Sequence, residues 1–337
     1  MHAVGQMQNE RKIMLAILFT VLMLAWWKAY TAAAQFAAKL IQPGENTQQK
    51  TIEVGNRQRT YYLHVPENLS AEQPAPLVLV FHGGGGNALG MERYLTDFSK
   101  LADQEHFLVA YPEGVDKSWN DGRGTPSTSA ANENVDDLAF FMAMLETISK
   151  QHPVDPRRIF ATGISNGAIF SHYLAANHAD KIAAIAPVVG SIADPFYKQF
   201  KPSQPVSVLI LQGTKDPLVP YDGGPVGQGK LGDRGKVIAT DDAVKLWVQA
   251  DGCQTQPVED ALPDSDPDDG CTVMRFTYGH GKNGTEVVLY KIEGGGHTWP
   301  GGPQYFPQFL IGPVCRDVDA TQVIWDFFKA HPKAEDK

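Results

Sequence analysis

The chain has 337 residues and a formal net charge of −9, with 38 acidic against 29 basic side chains. This acidic balance argues against nucleic acid or an anionic membrane surface as a partner. The length suits one large α/β domain with a sizeable core.

The N-terminal residues have the pattern of an export signal. Arg11 and Lys12 precede an apolar run over residues 13–27, and a small-residue Ala-x-Ala site ends at Ala34. Lys28 stops this run short of the roughly 20 apolar residues that span a bilayer. The pattern predicts a signal peptide that is cleaved after Ala34, and therefore a secreted or periplasmic protein.

These signals divide the chain into three predicted parts. Residues 1–34 form the signal peptide, residues 35–50 a flexible segment, and residues 51–331 a single folded domain. No stable membrane insertion is expected after cleavage. The alternative is a retained anchor through residues 13–27.

Apolar periodicity predicts strands that alternate with helices. The predicted strands lie at residues 59–65, 77–81, 107–111, 158–162, 182–189, 206–211, 273–278 and 286–292. The predicted helices lie between an Asn134 N-cap and Pro153, and at residues 168–177, 241–250 and 318–330. This order indicates an α/β fold with a doubly wound, mostly parallel sheet and helices on both faces.

A Gly-x-Ser-x-Gly pentapeptide at residues 163–167 lies between a predicted strand and a predicted helix. In an α/β-hydrolase, this placement forms a tight strand-to-helix turn with the serine at its apex. The two glycines leave room for the strand and helix to cross closely. Ser165 is therefore the predicted nucleophile.

A serine nucleophile needs a base to accept its proton and a carboxylate to orient that base. In the α/β-hydrolase order, the acid and then the histidine follow the serine along the chain. His297 follows the last predicted strand and precedes the last helix, where this fold places its base. His280 lies in a turn and His331 in the tail, so His297 is the predicted base.

The predicted acid is Asp216, which comes directly after the strand at residues 206–211. Pro217 prevents a helix from continuing there. Asp222 is the alternative, although its Asp-Gly sequence is typical of a turn.

A glycine run, residues 83–86, directly follows another core strand. Acyl transfer places negative charge on the carbonyl oxygen, and hydrolases of this class stabilise it with two backbone N–H groups. The predicted donors are Asn166 and Gly84, with Gly85 as an alternative to Gly84. His82 is expected to brace this loop.

Together these motifs resemble the esterases grouped around polyhydroxybutyrate depolymerases and feruloyl esterases, that is, carbohydrate esterase family 1 and its relatives. The resemblance covers residues 50–330, and its motifs are RTYYL (59–63), FHGG (81–84), YPEG (111–114), SWN (118–120), VDD (135–137), GISNG (163–167), GTKD (213–216) and GHTWPG (296–301). It implies a secreted carboxylic-ester hydrolase with an α/β-hydrolase fold and Ser165, Asp216 and His297 as its triad.

The remaining candidate residues, tryptophans and cysteines, are predicted to have structural roles or to lie at the edge of the site. Trp299 is predicted to line the substrate pocket, and Trp119 either to line it or to pack in the core. A disulfide is predicted between Cys253 and Cys271, because such a bridge closes a short loop in an exported protein. Cys315 is then a buried free thiol.

No metal or cofactor is expected. Asp136 and Asp137 fit the first turn of a helix, where they favour its dipole. Residues 264–270 resemble a calcium loop, but Asp269 and Arg275 occupy the positions that need glycine and glutamate.

The sequence therefore predicts an esterase with small or oligomeric ester substrates. Unlike extracellular polymer depolymerases, it shows no linker and no separate substrate-binding domain after the last helix, which favours soluble hydroxyacid oligomers or aryl and acetyl esters of sugars over solid polymer; the predicted substrates are hydroxyalkanoate oligomers of the 3-hydroxybutyrate type. Feruloyl or acetyl-xylan esters are the alternative. A serine peptidase and a non-catalytic envelope binding protein on the same fold also remain open.

Overall fold

The computed structural model of the protein describes residues 42–70, 72–229 and 233–335. The predicted signal peptide and the alternative anchor at residues 13–27 lie outside these ranges. From Pro43 onward the described residues form one compact unit. Its first strand begins at Thr47, within the segment that is predicted to be flexible up to residue 50. Within the described ranges, no helix is both long enough and apolar enough to cross a membrane.

Ten of the described strands form one sheet in the order β1-β2-β4-β3-β5-β6-β7-β12-β11-β10, and β8 pairs with β9. The strands are β1 Thr47–Val54, β2 Arg57–His64, β3 Ala75–Phe81, β4 Leu108–Pro112, β5 Val154–Ile164, β6 Ala184–Val188, β7 Ser207–Gly213, β8 Gly224–Pro225, β9 Lys236–Val237, β10 Val258–Ala261, β11 Thr272–Tyr278 and β12 Val287–Glu293.

The centre of this sheet is parallel and its two flanks are antiparallel. Strands β4, β3, β5, β6, β7 and β12 are parallel neighbours. The pairs β1–β2, β2–β4, β12–β11 and β11–β10 are antiparallel. The predicted mostly parallel α/β sheet is confirmed, and its flanks differ from the centre in being antiparallel.

The helices are α1 Ala88–Gly90, α2 Phe98–Glu105, α3 Ser129–Asn132, α4 Asp137–Gln151, α5 Asn166–Asn177, α6 Asp194–Tyr197, α7 Thr240–Asp251, α8 Gln308–Ile311 and α9 Ala320–Ala330. Residues Met91–Leu95 form a π-helical turn, and Val226–Gly229 and Lys282–Gly284 are 3-10 turns.

Core side chains cover both faces of the sheet because successive residues of a strand point to opposite sides. In β3, Leu77, Leu79 and Phe81 pack with α4, α5 and α7. The alternate residues Val78 and Val80 pack with α2 and α9. This continuous apolar burial is typical of a parallel strand enclosed between two helix layers.

The start of α4 differs from its prediction. Asp136 is the N-cap, and its carboxylate accepts a hydrogen bond from Ala139 N at 2.8 Å. Asp137 is buried and binds Arg59 Nη2 at 2.7 Å, so it serves as an internal ion pair as well as a first-turn residue. Burial raises the pKa of Asp137.

The predicted disulfide between Cys253 and Cys271 is not formed, because the two residues lie at opposite ends of β11; all three cysteines are free in this structure. Cys271 directly precedes β11, whereas Cys253 lies near Thr285 at the other end of that strand, with its Sγ 3.8 Å from Thr285 O. The sulfur atoms of Cys271 and Cys315 instead lie within 4.8 Å of each other. The sequence does not predict the contact between Cys271 and Cys315, because this contact depends on how a distant loop packs.

Candidate active site

Ser165 occupies a strained turn between β5 and α5. Its φ of 58° and ψ of −119° fall outside the regions that non-glycine residues ordinarily adopt. The close crossing of strand and helix requires glycine on both sides: a Cβ on Gly163 would lie 2.6 Å from Phe81 O, and one on Gly167 would collide with the same oxygen. The pentapeptide thus presents Ser165 at the carboxyl edge of the sheet.

Asp216 and His297 meet at this edge because they follow two neighbouring parallel strands. Strands β7 and β12 pair in register up to Gly213 and Ile292. The loops that follow bring His297 Nδ1 to 2.8 Å from Asp216 Oδ2. Both side chains are buried.

The surrounding backbone fixes this pair. The second carboxylate oxygen of Asp216 accepts hydrogen bonds from Leu218 N at 2.7 Å and Val219 N at 2.8 Å. The backbone of His297 is held on both sides, because its N–H donates to Ile311 O and its carbonyl accepts from the Tyr305 hydroxyl at 2.7 Å. The imidazole therefore has a defined orientation.

The alternative residues lie elsewhere. Asp222 and His280 are exposed, and neither lines the cleft that contains Ser165. The Nδ1 of His331 bonds Phe327 O at 2.7 Å on the last helix. The geometry thus brings Asp216 and His297 together and leaves these three residues apart.

Gly84 and Asn166 line the same cleft as Ser165. Within the described residues, neither Gly84 N nor Asn166 N donates a hydrogen bond. Gly85 N, in contrast, donates to Lys117 O at 2.9 Å, which removes it as a donor to a ligand. Gly84 and Asn166, the predicted pair of donors, therefore both line the cleft with N–H groups that are available to a ligand.

The Asn166 side chain is anchored by a buried network that sequence reasoning missed. Its Oδ1 accepts from Trp119 N at 2.8 Å, and its Nδ2 donates to Asp121 Oδ2 at 2.6 Å. Arg123 binds Asp121 in turn, with Nε at 2.9 Å and Nη2 at 2.7 Å from Oδ2. Asn166, one of the two predicted oxyanion donors, is thereby held by an internal ion pair.

His82 braces the glycine run through both ring nitrogens. Its Nδ1 lies 2.8 Å from Gly83 O, and its Nε2 accepts a hydrogen bond from Gly114 N at 2.9 Å. This pattern requires a neutral ring with the proton on Nδ1. Burial lowers the pKa of His82 to about 4, which keeps it neutral.

Comparison with known proteins relates this chain to esterases. The model of the Esterase PHB depolymerase family matches residues 59–197. The NocK protein of Nocardia uniformis subsp. tsuyamanensis is 31% identical over 313 residues, which cover 89% of each chain. Feruloyl esterase D of Neurospora crassa is 25% identical over 92% of this chain and 95% of that protein.

A solved structure shares the fold. The acetyl xylan esterase from Aspergillus awamori superposes with a TM-score of 0.52 at 17% identity, over 75% of this chain and 94% of that chain. The chain belongs to the Esterase PHB depolymerase family. It is a carboxylic ester hydrolase.

The cleft of this esterase has a volume of about 360 Å³ and contains Ser165, His297 and the glycine run. Its walls are mostly apolar, and their apolar side chains are those of Met91, Tyr94, Leu95, Ile164, Leu218, Val226, Tyr305, Phe306 and Ile311. Such a cleft suits the hydrocarbon parts of an ester.

Trp119 and Trp299 do not line this cleft, contrary to the prediction for Trp299. Each has only 1% of its surface exposed. The Trp119 indole N–H donates to His82 O at 2.9 Å, and its ring stacks on Phe170. The Trp299 indole N–H donates to Thr321 Oγ1 at 3.2 Å. Both rings are core residues, and Trp119 also supports the site through Asn166.

Proposed function

We propose that the protein is an exported serine esterase that hydrolyses linear hydroxyalkanoate esters of the 3-hydroxybutyrate type through an acyl-enzyme on Ser165. The observation that carries the proposal is the juxtaposition in one cleft of the strained Ser165 turn, the 2.8 Å contact between Asp216 and His297, and the N–H groups of Gly84 and Asn166.

The proposed mechanism begins with the tautomer of His297. Asp216 holds the proton on Nδ1, so Nε2 accepts the proton of Ser165 as Oγ attacks the ester carbonyl. The N–H groups of Gly84 and Asn166 stabilise the oxyanion. His297 then protonates the leaving alcohol, and a water molecule repeats the sequence to release the acid.

The expected result of Ser165→Ala is loss of p-nitrophenyl butyrate hydrolysis to the background rate with the fold retained, because the attacking oxygen is removed. Ser203→Ala, at an exposed serine, is the control and should retain full activity. Circular dichroism checks the fold of both variants. Unchanged turnover in Ser165→Ala would refute the mechanism.

The proposed substrate class rests on the mostly apolar cleft and on the family that the chain belongs to. Feruloyl and acetyl-xylan esters are the second candidate, since Tyr94, Tyr305 and Phe306 could contact an aromatic acyl group and one relative is a feruloyl esterase. A parallel assay of hydroxybutyrate dimers and trimers, methyl ferulate and acetylated xylan distinguishes them. A higher kcat/KM for ferulate or acetyl-xylan would replace the first candidate.

The peptidase and the non-catalytic alternatives are tested on the same purified protein. Labelling of Ser165 by a fluorophosphonate excludes a binding protein without catalysis. Cleavage of peptide amides at rates that match ester cleavage would favour a peptidase. Export is tested by N-terminal sequencing of the secreted protein, which should begin at Gln35.

A further inference from the structure

The charged residues around the cleft have an unusual distribution for an acidic protein. Although the formal net charge is −9, no aspartate or glutamate side chain among the described residues lines the cleft. Two arginines do line it, namely Arg123 and Arg234. The cleft wall is therefore more basic than the molecule as a whole.

The two arginines differ in what they already bind. The Arg123 guanidinium is buried, with Nε and Nη2 on Asp121 and Nη1 donating to Arg234 O at 2.8 Å. Its charge is neutralised inside the protein. The Arg234 side chain is partly exposed and, within the described part of the chain, has neither an ion pair nor a hydrogen bond. Arg234 thus gives the cleft an uncompensated positive charge.

We propose that Arg234 binds a carboxylate carried by the ester substrate, which makes it a specificity-determining residue. This inference rests on the proposed function of the same cleft. A guanidinium pairs with a carboxylate through two parallel hydrogen bonds. A linear hydroxybutyrate dimer carries such a group on the alcohol side of its ester, and hydrolysis with one water molecule yields two hydroxybutyrate anions and one proton.

The test compares two substrates that differ only in charge: the free-acid hydroxybutyrate dimer and its methyl ester at the carboxyl end. Wild-type enzyme should prefer the free acid, and Arg234→Gln should lower kcat/KM for it by about tenfold or more. The central ester bond of the methyl-capped dimer should be cleaved at nearly the same rate in both proteins.

Two further variants isolate the role of the guanidinium. Lys236→Gln removes the same charge from an exposed residue of the same segment and should leave the preference intact. Arg234→Lys should restore part of it, because the charge remains and the planar fork is lost. Added salt should weaken the wild-type preference.

The outcomes separate this inference from the proposed function. Equal kcat/KM values for both dimers in wild type, or equal losses for both in Arg234→Gln, would overturn the role of Arg234 while hydroxyalkanoate hydrolysis stands. No cleavage of either dimer, with p-nitrophenyl butyrate still hydrolysed, would instead reject the substrate class on which the inference rests.

A separate observation concerns Cys271 and Cys315. Both thiols are buried, and their sulfur atoms lie within 4.8 Å of each other, although 44 positions separate them in the chain (315 − 271). The segment between them contains β12 and His297. A bond between the two sulfur atoms would therefore tie the base-bearing loop to the start of β11.

We infer that Cys271 and Cys315 form a disulfide when the protein folds in an oxidising medium. With oxidised glutathione as the oxidant, the two thiols lose two protons and two electrons, the S–S bond of glutathione breaks, and two glutathione thiols form. Cys253 stays reduced because its sulfur lies near Thr285, at the far end of β11.

The test is oxidative refolding in a glutathione buffer, followed by thiol counting in denaturant. Wild type should retain one thiol and Cys253→Ser none, whereas Cys271→Ser and Cys315→Ser should each retain two. Retention of all three thiols in wild type, or of two in Cys253→Ser, would overturn the inference. The oxidised wild type should also melt a few degrees higher than its reduced form.

Discussion

The carboxylate of Asp216 has different partners for its two oxygen atoms. One accepts N–H groups from Leu218 and Val219, and the other lies 2.8 Å from His297 Nδ1. The first contact fixes the carboxylate, and the second selects the histidine tautomer that leaves Nε2 free as an acceptor.

Asp216→Asn should therefore lower kcat for p-nitrophenyl butyrate by about 10³- to 10⁴-fold with little change in KM. The amide can still accept from Leu218 and Val219, but its NH₂ group would face Nδ1 and force the wrong tautomer. Steady-state kinetics measure the effect. Asp222→Asn is the matched control, and a comparable loss there would contradict the assignment of the acid.

His82 makes stability dependent on pH. Its pKa is about 4 in the folded protein, because burial disfavours the charged ring, and about 6.5 in an unfolded chain. The unfolded state therefore binds more protons between these values, and stability falls as the pH drops through this window. The Glu113 carboxylate lies 3.7 Å from Nε2, but burial raises its own pKa, which limits its value as a counter-charge.

Relative to His82→Gln, the wild type should lose about 2 kcal/mol of unfolding free energy between pH 7 and pH 5. Urea unfolding at both pH values measures the difference. Comparison with the variant cancels the titration of other buried groups, including His172 and Asp251. Parallel pH profiles for the two proteins would show that His82 is not the group that titrates.

At the scale of elements, the crossing of β5 and α5 depends on the absence of side chains at two positions. A Cβ on Gly163 would meet the backbone oxygen of Phe81 at 2.6 Å and the carbonyl carbon of Gly167 at 2.8 Å. Neither neighbour can rotate away, because both belong to the backbone of packed elements. The strand and helix would have to separate.

Gly163→Ala should accordingly lower the unfolding free energy by about 2–3 kcal/mol. Gly279→Ala is the control, because its Cβ would lie 3.4 Å from a side-chain oxygen of Glu286, an ordinary van der Waals distance, and should change stability by about 0.5 kcal/mol or less. Urea midpoints of the two variants give the comparison. Equal destabilisation would mean that the crossing tolerates a methyl group.

The sequence predicts those elements whose apolar pattern is strong. The predicted strands at residues 206–211 and 286–292 correspond to β7 and β12, so the loops after them could be assigned Asp216 and His297. Strand β1 escapes prediction because it is a polar edge strand that is held mainly by its pairing with β2.

Contacts between distant segments account for the other differences. Trp119 is buried because Phe81 and Phe170 enclose its ring, and its own loop sequence does not contain that information. The proximity of Cys271 and Cys315 depends likewise on the packing of the loop before α9. Arg234 belongs to none of the sequence motifs, so its position in the cleft is known only from the tertiary structure.

At the scale of the whole molecule, the site combines contributions from strands that are separate in sequence. Ser165 follows β5, Asp216 follows β7 and His297 follows β12, with β6 between the first two strands. The pairs β5–β6, β6–β7 and β7–β12 are all parallel. Each of them closes a long loop of chain, and such pairings form slowly. The antiparallel pairs β1–β2, β10–β11 and β11–β12, in contrast, join strands that are consecutive in the chain.

Ester hydrolysis reports whether β12 has paired with β7 during folding. During refolding, the circular dichroism signal of the helices can return while β12 is still unpaired. Ester hydrolysis, in contrast, requires β12 beside β7 so that His297 can reach Asp216. Enzyme activity should therefore reappear after the far-ultraviolet circular dichroism signal. Molecules whose sheet still lacks β12 should not hydrolyse esters.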